Sequence, residues 1–151
     1  MTGVQTCALP ISYNLTEPTQ PVHGTITARD YVDAAGLLDR AAHAWGDADE
    51  RLVLVDWYAG EVQKLEDPWT FQLNAFEDRF VLLCPIQSGW ALIGRTDKYL
   101  SPAAVDVLDV SADEILLHSG EACEVQLWRD GRAHMVAATR GVTRVRASQL
   151  T

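Results

Sequence analysis

Basic residues are scarce in this chain and absent from its start. Twelve Lys and Arg face 21 Asp and Glu across 151 residues, a net charge of −9, and none of the twelve precedes Arg29. That balance argues against nucleic acid as a partner, because phosphates require a basic face. It argues equally against an anionic membrane surface. A secretory signal opens on positive charge and continues in an unbroken apolar core. Here the first apolar stretch, Cys7-Ala8-Leu9-Pro10-Ile11, is short, uncharged and broken by proline. No run approaches the roughly 20 apolar residues of a transmembrane helix. The expected setting is cytoplasmic, and the excess of ten Arg over two Lys (Lys64 and Lys98) reads as GC-rich coding.

Reactive residues are few or poorly spaced. Cys7, Cys84 and Cys123 form no Cys-x-x-Cys pair and no disulfide framework. Cys84 and Cys123 sit in apolar strand-like runs and read as buried free thiols. Cys84, followed by Pro85, is poorly set for a thiolate nucleophile. His23, His43, His118 and His134 are scattered, with no zinc spacing among them, so no metal and no cofactor is assigned. A Gly-x-Ser-x-Gly elbow and a phosphate-binding glycine loop are both missing. Acidic pairs are plentiful (Asp47/Asp49/Glu50, Glu66/Asp67, Glu77/Asp78), but they fall in expected turns, where solvated acids belong. No catalytic residue is assigned, and the chain is not expected to be an enzyme by itself.

The opening MTGVQTCALPIS resembles, over Thr2 to Ile11 and without a gap, the translation of a common sequencing-library adapter. The resemblance implies that residues 1–11 are a disordered, non-biological scar that does not pack. They are set aside as a tag would be, and Cys7 leaves the cysteine count. It also implies that the natural gene continues upstream of Ser12.

The remainder reads as all-β. Residues 12–28, with two prolines and a glycine in LTEPTQPVHGT, read as an extended linker or strap. The stretch ARDYVDAAGLLDRAAHAW carries Leu37, Leu38, Ala41, Ala42 and Trp45 at helical spacing, yet Gly36 interrupts it and Ala41, His43 and Trp45 alternate as in a strand. From Arg51 the β signal is clear. RLVLVDW, VQKL, WTFQL, RFVLLCPI, GWALIG, AVDVLDVS, EILLHS, EACEVQLW, AHMVAA and TRVRAS are short apolar or alternating runs between turn residues. Asp130-Gly131 is the strongest hairpin signal. About nine or ten short strands, with turns every eight to twelve residues, predict a single antiparallel β-sandwich over residues 29–151.

Five tryptophans are many for this length, and most are expected in the core. Trp57 and Tyr58 differ. As consecutive residues in a strand they point to opposite faces, so one must leave the core. Trp57, Tyr58 and Trp69 are the candidate contact residues, for a sugar or for another domain.

Around them RLVLVDWYAGEVQKLEDPWTFQLNAFEDRFVLLCPI, GWALIG and RTDKYLSPAAV resemble the C-terminal β-sandwich of the raffinose synthase and alkaline α-galactosidase family, allied to glycoside hydrolase family 36. The family has an aromatic-polar strand end followed by a glycine turn, here Val55-Asp56-Trp57 and Gly60. It then has a segment ending in Pro-Ile, here FEDRFVLLCPI, and a strand of the type seen in GWALIGR. Upstream, Arg29-Asp30, Ala35-Gly36 and AHAW stand where the family has Arg-Asp, Asp-Gly and a strand ending in Trp-Asn, which favours a strand at about Ala41–Trp45. The likeness spans about Arg29 to Val110, and its departures, Gly for Asn after Trp45 and Asp-Trp for Phe-Asn, imply a divergent bacterial-type member. The family's catalytic aspartates lie on a (β/α)8 barrel that precedes this domain, and no position here matches them. The resemblance therefore implies a non-catalytic accessory domain that packs on the barrel of an α-galactoside-processing enzyme, with that barrel and α-galactoside sugars as partners. Two alternatives stand beside it: a self-standing carbohydrate-binding module, and an unrelated structural sandwich. Docking predicts an exposed apolar patch; a sugar module predicts a row of exposed aromatics.

Overall fold

The computed structural model describes residues 7, 9–15, 20–37, 52–66, 68–98 and 104–150. It is an all-β protein of antiparallel sheets. The described residues form twelve strands and one α-helix, in two compact units: residues 8–83, and 84–151 with 1–7. The sequence reading places 29–151 in one domain. Strand spacing alone does not reveal which strands share a core.

The unit of residues 8–83 holds β1 (Ile11–Tyr13), β2 (Val22–Ile26), α1 (Ala28–Leu37), β3 (Leu52–Asp56), β4 (Glu61–Lys64), β5 (Trp69–Leu73) and most of β6 (Asp78–Pro85). One sheet runs β1-β6-β3-β4, and β2 and β5 form a separate antiparallel ribbon. Their shared core is Ile26, Tyr31, Leu52, Leu54, Phe71, Leu73, Val81 and Leu83, with Leu65 and Trp69 packed against it. β3 and the middle of β6 are buried on both faces, as their unbroken apolar runs require. α1 starts with a carboxylate that reaches back over its first turn to Thr27. Asp30 Oδ2 accepts from the Thr27 amide at 2.7 Å and from the Thr27 hydroxyl at 3.0 Å, satisfying a donor that the first helical turn leaves unpaired.

The linker expected at 12–28 thus contains β2 and the last two residues of β1. Gly24 explains why β2 is hard to see: a side chain there would meet the Phe71 ring, so the strand needs a residue that breaks its apolar pattern. The adapter-like segment also differs from expectation. Val81 N–H donates to Pro10 O at 3.1 Å, Ile11 pairs with Phe80, and the half-buried Cys7 thiol donates to Cys84 Sγ at 2.8 Å. Its described residues pack, whatever their origin. The helix-or-strand alternative resolves to helix through Leu37; the strand expected at about Ala41–Trp45 lies outside the described residues.

The second unit holds β7 (Trp90–Gly94), β8 (Val105–Val110), β9 (Glu114–Ser119), β10 (Cys123–Arg129), β11 (Arg132–Ala138) and β12 (Gly141–Arg146). Two three-stranded sheets, β11-β10-β7 and β12-β9-β8, enclose one apolar core built from all six strands. Trp90 fills its centre. The indole N–H donates to Ser111 O at 2.9 Å, and the Arg129 guanidinium lies 4.7 Å over the ring. Asp130 (φ 50°) and Gly131 (φ 83°) form the two-residue hairpin between β10 and β11, with Arg129 facing Arg132. Cys84 is buried, Cys123 half-buried, and both are free thiols. No described helix is long and apolar enough to cross a membrane.

Candidate functional site: an aromatic and acidic row on the 8–83 unit

Three of the aromatics singled out by sequence fall in this unit and separate in role. β3 ends at Asp56, and the chain turns through Trp57–Gly60 before β4. Asp56 builds that turn. Its Oδ1 accepts from Ala59 N–H at 3.2 Å, its carbonyl accepts from Gly60 N–H at 2.9 Å, and Gly60 takes a left-handed φ of 68°. Its Oδ2 accepts from Arg79 Nη1 at 2.6 Å, a pair on the core-facing side of the sheet. Arg79 also lies 5.9 Å from the Phe71 ring. Trp57 goes the other way. Half-buried, it meets Phe80 edge-on at 5.9 Å, and its backbone N–H donates to Phe80 O. Tyr58 is the residue that leaves the core, at 55% exposure. The turn, rather than strand alternation, sends it outward. Trp69, at the start of β5, is half-buried with its ring 5.3 Å from Phe71, and so lines the edge of the core.

The exposed Tyr58 hydroxyl donates to Asp78 Oδ2 at the start of β6. On the far side of Asp78, β1 sets Tyr13 directly opposite it in register. Opposed residues of an antiparallel pair share a face, about 5 Å apart at Cβ. Tyr13, 64% exposed, therefore stands beside the carboxylate that Tyr58 reaches from the other direction. Tyr13, Asp78 and Tyr58 form a row across three adjacent chain segments. Sequence reasoning found Tyr58 in this row but missed Tyr13, whose strand was assigned to a linker. It passed over Asp78 as one of many turn acids. The available signal was the alternation in Ile11-Ser12-Tyr13.

A third exposed ring stands next to the row. Asn74–Glu77 is a tight turn in which Glu77 N–H donates to Asn74 O, and Phe76 sits in it at φ 60°, 76% exposed. A bulky residue in the left-handed region is strained, and glycine is the usual occupant there. Buried Asn14 clamps the turn: its amide side chain donates to Leu73 O, its N–H to Glu77 O, and its carbonyl accepts from Phe76 N–H at 2.9 Å. Glu77 accepts from both the side chain and the backbone of Asn74, and these bonds hold its carboxyl below the usual range.

Among the described residues no group of three or more His, Cys, Asp or Glu is placed to hold a metal ion. The site is a surface for stacking and hydrogen bonding, carried by one carboxylate and exposed rings. In class, the molecule is an all-β protein with an aromatic-acidic surface row. Comparison with protein-family models finds no match, and comparison with curated proteins finds none either.

Proposed function

We propose that this chain is the accessory C-terminal β-sandwich of an enzyme of the raffinose synthase and alkaline α-galactosidase type, itself non-catalytic, which packs on and stabilises a (β/α)8 catalytic barrel in a bacterial cytoplasm. One observation supports this reading: β3, β6 and β7 end near the residues by which the resemblance marks its strands, although Arg29-Asp30 and Ala35-Gly36 lie in α1. β3 ends at Asp56, just before Trp57 and a turn through Gly60, β6 ends at Pro85 before Ile86, and β7 spans Trp90–Gly94. A chance likeness of short apolar words would not have to respect strand ends.

The test is genetic and then enzymatic. An independent assembly of the locus is expected to extend the reading frame upstream of Ser12 into a barrel. The full protein should release galactose from melibiose, and deletion of residues 12–151 should lower its thermal stability. A reading frame that begins near Ser12, or one that continues into an unrelated domain, overturns the reading.

A further inference from the structure

We infer that Tyr13, Asp78, Tyr58 and Phe76 form a binding ledge for a neutral pyranoside. This goes beyond the accessory-domain reading and does not depend on it. Two independent observations meet at this place. The first is the row itself, an acceptor-only carboxylate between two half-exposed phenol rings. Asp78 Oδ2 is engaged by Tyr58, while Oδ1 accepts nothing from the described residues. The second is strain. A left-handed backbone at a bulky residue costs about 1–3 kcal/mol. Here that cost holds a ring out in water, where it returns little burial. Strain concentrated under an exposed aromatic is a mark of a site built to present that aromatic.

The ligand class follows from the chemistry. A pyranose offers an apolar C–H face to an aromatic ring and adjacent hydroxyl donors to a carboxylate, which has several lone-pair sites to receive them. Anionic ligands are disfavoured by Asp78 and by the chain's net charge of −9. Arg79, the next residue in the chain, is turned to the opposite face and held by Asp56. Tyr13 stands opposite Asp78 on the neighbouring strand and Tyr58 reaches it through its hydroxyl, so both rings border the carboxylate over which a sugar ring would lie.

The test is saturation-transfer NMR and calorimetry on the 151-residue chain with melibiose, maltose and cellobiose. The expected Kd for at least one is about 1–10 mM, typical of a shallow site with few contacts. Asp78→Asn, Tyr13→Ala and Phe76→Ala should each weaken binding about tenfold, and Val142→Ala, on the other unit, should leave it unchanged. Tyr58→Phe keeps the ring and the fold and should weaken binding by a smaller factor. The inference is overturned if all three sugars give no signal, if binding survives the row variants, or if tetramethylammonium binds more tightly than any sugar. Sugar binding without an upstream barrel would sustain this inference while sinking the accessory-domain reading.

Discussion

Replacing Arg79 with alanine should destabilise the 8–83 unit more than replacing its partner Asp56, and the asymmetry can be worked from burial. The Asp56 side chain is 3% exposed and that of Arg79 is 28% exposed. Without Arg79, the Asp56 carboxylate keeps one neutral donor, Ala59 N–H, and water reaches it only through the space the partly exposed Arg79 side chain leaves. Breaking a buried pair from one side costs about 3–5 kcal/mol. The partial exposure of Arg79 means the intact pair was incompletely desolvated, which sets the expectation near about 3 kcal/mol. Loss of the contact with Phe71 adds a few tenths. In Asp56→Ala the orphaned guanidinium can swing toward solvent, so the charge penalty is small. What is lost is the turn bond and the pair's own attraction, about 2 kcal/mol together. The double alanine variant should cost less than the sum of the singles, because the stranded charge is gone. Urea unfolding followed by tryptophan fluorescence gives the totals. Amide exchange at Trp57, whose N–H bonds Phe80 O next to the pair, reports the local effect. An Arg79→Ala cost under about 1 kcal/mol, or an Asp56→Ala cost exceeding that of Arg79→Ala, refutes the reasoning.

Gly24→Ala places a Cβ 2.3 Å from Phe71 Cζ, so the ring must leave its seat. The expected cost is about 2–3 kcal/mol, read as a melting temperature lower by about 4–10 °C, and an unchanged melt would show that the ring is loosely held. On the second unit, Arg95 donates to Asp97 at 2.7 Å and to Glu121, and holds both carboxyls below their ordinary values of 3.8 and 4.5. A lowered folded-state pKa means stabilisation that is complete above the ordinary carboxylate range and fades as pH falls through the lowered values. Urea midpoints should therefore drop between about pH 5 and pH 3, and Arg95→Gln should flatten that drop.

How much of this was legible beforehand depended on whether the signal was local. β5 was legible at its full extent, Trp69–Leu73, because alternation and flanking turn residues are properties of the segment alone. The Asp130-Gly131 hairpin was legible for the same reason. β1 and β2 were not. One is three residues long and the other is interrupted by Gly24, and each exists because a partner strand supplies its hydrogen bonds. The aromatic row inherits that difficulty. Tyr58 could be singled out from its neighbour Trp57, whereas Tyr13 matters only through its register against Asp78, 65 positions later in the chain. Phe76 carried no sequence signal, since a strained φ is visible only in the backbone.

The packing of Cys7 and of residues 9–11 invites the conclusion that they belong to the natural fold, and a truncation decides it. Without β1 the outer edge of β6 would present unpaired N–H and C=O groups, and such an edge accepts almost any extended chain. Backbone pairing by Pro10 and Ile11 is therefore weak testimony about origin. The side chains are a better guide. Ile11 is half exposed where a selected strand would bury it, and the Cys7 thiol makes only soft bonds, to Cys84 Sγ and at 3.5 Å to Leu92 O. Burial pushes that thiol's pKa up, with Cys84 adding to the shift, so it stays neutral and brings no charge-assisted bond. A chain beginning at Ser12 loses one backbone hydrogen bond to Val81 and these sulfur contacts, about 1–2 kcal/mol in all. It should keep the pairing of Ser12 with Arg79 and of Tyr13 with Asp78, visible as protected amides. A loss above about 4 kcal/mol, or collapse of that register, would mean that the segment was selected with the fold and would refute its adapter origin.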